Sequence, residues 1–208
     1  MALSDWYSNI LFLLRWIHVF FSIIWIGHLY FFNFVNVPLQ AALDDATKKL
    51  VNPKLLPRAL WWFRWGAMVT FASGWILYTM QYMYSPDGGF GPTPTFSTPD
   101  GLSSRAIWIL FGMVLGSIMW FNVWFIIWPA QKSMLQGKVA AENLPAVRKR
   151  AFLASRTNTF LSGPLLFAML APQDYGAFNL VTLAVVTAIS AAVVWHLVKF
   201  SPKVGTGV

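Results

Sequence analysis

Five long apolar runs, with every acidic residue kept outside them, govern what this chain can become. They cover residues 9–37, 59–84, 106–128, 150–171 and 178–200. A helix needs about 20 apolar residues to cross the roughly 30 Å hydrocarbon core of a bilayer. The first run is longer than that, which implies tilt or an emergent end. Asp5, Asp44, Asp45, Asp87, Asp100, Glu142 and Asp174 all lie between or outside the runs. Charged residues make up 11% of the chain, against about 25% in a soluble domain. So little charge cannot cover a water-facing surface, so lipid is the expected solvent. The predicted fold class is all-α: a polytopic transmembrane helical bundle of about five spans, forming a single integral membrane domain over residues 1–208. The first run extends well past a signal-peptide core and reads as a retained helix. The expected location is a bacterial inner (cytoplasmic) membrane, crossed several times.

The segments between the runs set boundaries and orientation. Pro38, Pro129 and Pro172 are expected to end the first, third and fourth runs. A short surface helix is expected before Pro53. The stretch SPDGGFGPTPTFSTPDGLSS reads as irregular, because Pro, Gly, Ser and Thr dominate it. No convincing internal repeat is evident. Lys48, Lys49, Lys54 and Arg58 follow the first run, Lys132, Lys138, Arg148, Lys149 and Arg150 follow the third, and Lys199 and Lys203 end the chain. Asp87, Asp100 and Asp174 mark the other loops, opposed by Arg105. The positive-inside rule then predicts an outer N-terminus and an inner C-terminus. The formal net charge of +8 finds its partner in anionic lipid headgroups. Nucleic acid is not expected as a partner, since no exposed basic module remains outside the runs.

Chemistry must come from few residue types. There is no Cys, so disulfides, thiolates and c-type haem attachment are excluded. No carboxylate sits within a run, which disfavours carboxylate proton relays and most cation-coupled transport. Arg15, His18, Ser22 and Trp25 are spaced to share one helical stripe. Arg15 either snorkels outward or anchors an anionic group such as a haem propionate; Arg64 is expected to snorkel. The three histidines, His18, His28 and His196, are candidate ligands for the iron of a b-type haem. At 1.5 Å per residue His18 and His28 lie about 15 Å apart in depth. Depth therefore pairs His28 with His196, while His18 needs another partner or its own copy across a dimer axis. Each histidine could equally hydrogen-bond a neighbouring Ser, Asn or carbonyl. Gly112 and Gly116, and likewise Gly66 and Gly74, are spaced for close helix packing. Asn33 and Asn122 are expected to hydrogen-bond between helices. The fourth run carries Arg156, Thr157, Asn158, Thr159 and Ser162 before Gly163-Pro164, which is either a break lining a cavity or a simple kink.

The strings RWIHVFFSIIWIGHLYFFNF, ALWWFRWGAMVTFASG, MWFNVWFIIWPAQK and SRTNTFLSGPLLF resemble the membrane domain of bacterial membrane-bound urate hydroxylase, the urate oxidase N-terminal membrane domain family. The likeness runs over about residues 11–171. It implies a redox role and favours His18, which lies in the best-matched string. Members of that family typically carry more helices and a C-terminal cytochrome c domain. This chain ends after its fifth run without Cys, so the resemblance implies either a separate electron partner, such as a cytochrome c, or a member that does not perform the reaction. Three functions follow as expectations. The first is a redox subunit that binds haem b and passes electrons within a homo-oligomer or a larger membrane complex. The second is a cofactor-free accessory or scaffold subunit, and the third is a urate hydroxylase membrane component.

Overall fold

The computed structural model describes residues 5–175 and 177–205, and these form a nearly all-α bundle. The first helix runs Trp6–Ala42, the second Asp45–Tyr82, the third Ser104–Leu135, the fourth Leu144–Asp174 and the fifth Leu180–Lys203. The first, third and fifth are long and apolar enough to cross a membrane. The second and fourth are as long but begin in basic turns, at Lys48 to Arg58 and Arg148 to Arg150. Side-chain oxygens start four helices' ladders where backbone N–H groups lack partners. Asp5, Asp44, Ser103 and Asn179 accept from the N–H of Ser8, Thr47, Ala106 and Val181. Both the N–H and the hydroxyl of Thr47 donate to the Asp44 carboxylate, which holds its pKa below the usual value.

The helices run past the prolines expected to end them. The first continues four residues beyond Pro38 and the third six beyond Pro129. Each passes through a π-helical segment just before its proline, Phe31–Asn36 and Asn122–Ile127. There the Val37 N–H reaches back to Phe32 O and the Trp128 N–H to Val123 O, a step of five. The wider turn shifts the ladder, so the proline ring meets a carbonyl already out of register. Pro53 and Pro57 lie inside the second helix, which absorbs the separate surface helix expected there. The carbonyls they free belong to exposed Lys49 and Pro53. Gly163-Pro164 does not break the fourth helix, which is continuous to Asp174. A Cβ on Gly163 would sit 2.5 Å from that of Ser190, so the glycine seats the fifth helix. The stretch expected to be irregular forms two antiparallel hairpins, pairing Tyr84–Ser85 with Gly89–Phe90 and Ser97–Thr98 with Gly101–Leu102. Gly89 and Gly101 supply the positive φ these tight turns require.

The first helix packs along the second, the third along the fourth, and the fifth on the fourth. Gly66 lets the first pair approach closely, since a Cβ there would stand 3.1 Å from Trp25 N. Gly112 accommodates Met169 and Ala168, so the glycine face of the third helix is used within the chain. At the centre, Trp25, Leu29, Phe63, Ala67, Met119 and Val123 form one cluster. Beside it, Asn122 Nδ2 donates to Asn158 Oδ1 (2.7 Å), and Asn158 Nδ2 donates to Met119 O (2.9 Å). Asn158 is fully buried. Asn158→Leu strands the Asn122 amide, so it should cost about 2 kcal/mol. Denaturant unfolding in detergent measures it; an unchanged midpoint would remove the network from the stability account.

The structure also exposes a repetition. A π segment followed by X-Pro-X-Gln occurs at Val37-Pro38-Leu39-Gln40 and at Trp128-Pro129-Ala130-Gln131. Roughly thirty residues after each proline, on the partner helix, comes Thr-Phe-X-Ser-Gly, at 70–74 and at 159–163. Thr70, Ser73, Thr159 and Ser162 are all buried. The same two motifs, each with its π segment, thus recur in the same order along the first two helices and the next two. Their signal hid in the sequence because the intervening residues differ almost throughout.

Candidate functional site

The ends of four helices meet below the β-hairpins around a half-open cavity of about 280 Å³. That lies at the small end of ligand-pocket sizes. Its deeper wall is apolar and aromatic, with Trp25, Ile26, Phe71, Leu165 and Met169. Its polar groups are Arg15, His18 and Ser22 from the first helix, Thr70, Tyr78, Gln81 and Tyr82 from the second, Arg105 and Ser117 from the third and Gln173 from the fourth. Tyr7 pins the first helix to the end of the second through its hydroxyl, which donates to Met80 O.

Arg15 Nη2 donates to Gln81 Oε1 at 3.2 Å, which orients the guanidinium without neutralising it. No Asp or Glu lines the cavity. Among the described residues the one ion pair is Lys48–Asp45, in the first turn of the second helix at the opposite end. Arg15 and Arg105 therefore bring uncompensated positive charge to a cavity with low-dielectric walls. An anion with planar oxygens would receive charge-assisted, forked hydrogen bonds there.

His18 stands one turn deeper than Arg15. Its Nδ1 lies 3.2 Å from Ser73 Oγ. Ser73 already donates to Val69 O at 2.6 Å, so its oxygen accepts from the imidazole. That arrangement assigns the proton to Nδ1, and the ring also hydrogen-bonds the Thr70 backbone. Gly74 makes the approach possible, because a Cβ there would fall 2.9 Å from His18 Cε1.

Of the candidate residues, the structure brings Arg15 and His18 to this cavity and leaves His28 and His196 off its wall. His28 is half-buried, with Nδ1 2.8 Å from Ile24 O of its own helix. His196 is exposed on the fifth helix and stacks on Phe200. Arg64, expected to snorkel, lies over the Trp128 ring at 4.0 Å, with Trp124 and Trp65 beside it. Asn33 and Asn122 both bridge helices as expected, Asn33 by donating to Ser155 Oγ at 2.9 Å. Arg105 and Gln81 escaped the sequence reading. Each sits at a helix end beside a polar loop, and nothing local says that those two ends meet Arg15.

The family model described as urate oxidase N-terminal matches residues 93–203, more than half of the chain. The chain belongs to the urate oxidase N-terminal family. No curated protein and no solved structure matches it. The family match takes in Arg105 and the third to fifth helices, hence one side of the cavity. Arg15 and His18, on the facing wall, lie before the matched residues, as do two of the four strings on which the resemblance was first drawn.

Proposed function

We propose that this chain is the membrane component of a urate-hydroxylase-type redox system, and that the cavity below the hairpins binds urate. The observation that carries this reading is the pair of arginines, Arg15 and Arg105, facing an apolar cavity without a carboxylate. Urate is a flat monoanion at neutral pH, with ring N–H groups and carbonyl oxygens. Its oxygens suit the two guanidiniums, its faces suit the aromatic wall, and the His18 imidazole lies at hand for a ring N–H. The hairpin end faces outward and the basic linkers inward, as the lysine and arginine distribution supports. Equilibrium dialysis of urate against the purified protein tests the reading. Saturable binding that weakens when other planar anions compete is expected; no uptake at millimolar urate would overturn it.

A second reading is favoured by one feature of His18. A ring held through Nδ1 is how proteins prepare an imidazole for a metal at Nε2. Haem b would then sit on His18, with Arg15 and Arg105 near its carboxylates, and would supply one-electron transfer. The donor types fit, but a porphyrin is bulkier than 280 Å³ allows, so it would require the helices to part. An absorption spectrum of the protein purified from haem-replete cells decides this. A Soret band lost in His18→Ala favours haem; a colourless protein that still binds urate favours the first reading. A colourless protein that binds neither would leave the accessory-subunit role, with electrons and chemistry on a partner such as a separate cytochrome c.

A further inference from the structure

We infer that a second cavity, at the basic end of the bundle, is a binding site for a quinol headgroup. This cavity holds about 190 Å³ and is also half-open. Both π-helical segments border it, through Asn33 and Asn36 from one and Ile127 from the other. Such segments are concentrated at functional sites, and this chain spends both of them here. Phe32, Phe63 and Phe152 give the cavity aromatic walls.

The deciding group is Asn33, which is 1% exposed. Its Nδ2 donates both to Leu29 O and to Ser155 Oγ, each at 2.9 Å. Leu29 O can only accept, so the amide cannot be turned the other way round. That leaves Asn33 Oδ1 buried with no hydrogen-bond partner. An unmet acceptor calls for a ligand with an O–H or N–H at that end. Gln131 and the exposed Arg148 stand on the same cavity and offer donors, which call for an oxygen acceptor at the ligand's other end. A flat ring with a hydroxyl at one end and an oxygen at the other, placed where a tail could lie in lipid, matches all three demands. A bare phosphate matches only the arginine, and an ammonium head would leave its charge beside a single amide oxygen. The oxidised quinone lacks the O–H for Asn33, so the site should prefer the reduced form by about tenfold. The inference does not depend on what the hairpin-end cavity holds.

The test uses the intact protein in detergent, titrated anaerobically with a short-tailed benzoquinol and, separately, with its quinone, with binding read by tryptophan fluorescence. The expected result is saturable binding, at least fivefold tighter for the quinol. Asn33→Leu should erase the preference between the two forms. Arg148→Ala, a surface change that leaves the bundle intact, should weaken both forms alike. Equal affinities for quinol and quinone in the unaltered protein would overturn the assignment, as would no binding or a preference that survives Asn33→Leu. Urate binding, followed in parallel, reports on the other cavity alone.

Discussion

Arg15→Ala is expected to weaken urate binding by ten- to a hundredfold while leaving the helix content and melting temperature nearly unchanged. A hydrogen bond to a charged group is worth about 1.5–3 kcal/mol, which corresponds to that range of affinity. Arg15 is held only by Gln81, so its loss strands one amide at a half-open wall and little else. Arg105→Ala should act in the same direction and more weakly, because Arg105 is exposed at the mouth. Arg15→Lys should recover part of the loss, since charge is kept and the fork is not. Dialysis of labelled urate measures all three. An Arg15→Ala protein that binds within twofold of the unaltered one would move the anion site elsewhere.

The largest effect on stability is expected at Gly66. Its Cα hydrogens face the backbone of the first helix, and an added Cβ would lie 3.1 Å from both Trp25 N and Ile24 Cγ2. Backbone cannot rotate away as a side chain can, so Gly66→Val must push the two helices apart. Trp25 and Phe63, buried at this contact, would lose packing as well. Overpacking of this kind costs about 3 kcal/mol, toward the upper end of measured cases. The same substitution at Gly27, where nothing stands within 4 Å, is the control and should cost far less. Unfolding in detergent distinguishes them. Equal midpoints for the two variants would show that the close approach at Gly66 contributes little.

The bundle was legible because lipid leaves few choices. A chain whose acids all fall outside its apolar runs must bury those runs in hydrocarbon, and backbone groups there are satisfied within helices. The boundaries were harder. Proline is the expected terminator, yet Pro53, Pro57 and Pro164 lie within continuous α-helices and Pro38 and Pro129 follow π turns that have already left the regular ladder. No residue type announces a π turn, so the extensions to Ala42 and Leu135 could not be read in advance. The hairpins after the second helix were signalled by Asp87-Gly88-Gly89 and Asp100-Gly101, but the high Pro and Ser content around them outweighed those turns. Within the candidate site, helical spacing from Arg15 to His18 was sufficient to place both on one wall. Arg105, Gln81 and the opposing faces of the third and fourth helices required knowing which helix ends converge, a tertiary fact. The recurring motifs show the same limit, since their three features are spread over more than a hundred residues.

Under the proposed function, this chain takes part in urate oxidation through the arginine-lined cavity. The most direct measurement is urate consumption by membranes from cells with and without the gene, supplied with cytochrome c as electron acceptor. Consumption that requires the gene and falls at least tenfold in Arg15→Ala is the expected result. Urate loss at the same rate with the gene present, absent or altered at Arg15 would contradict it.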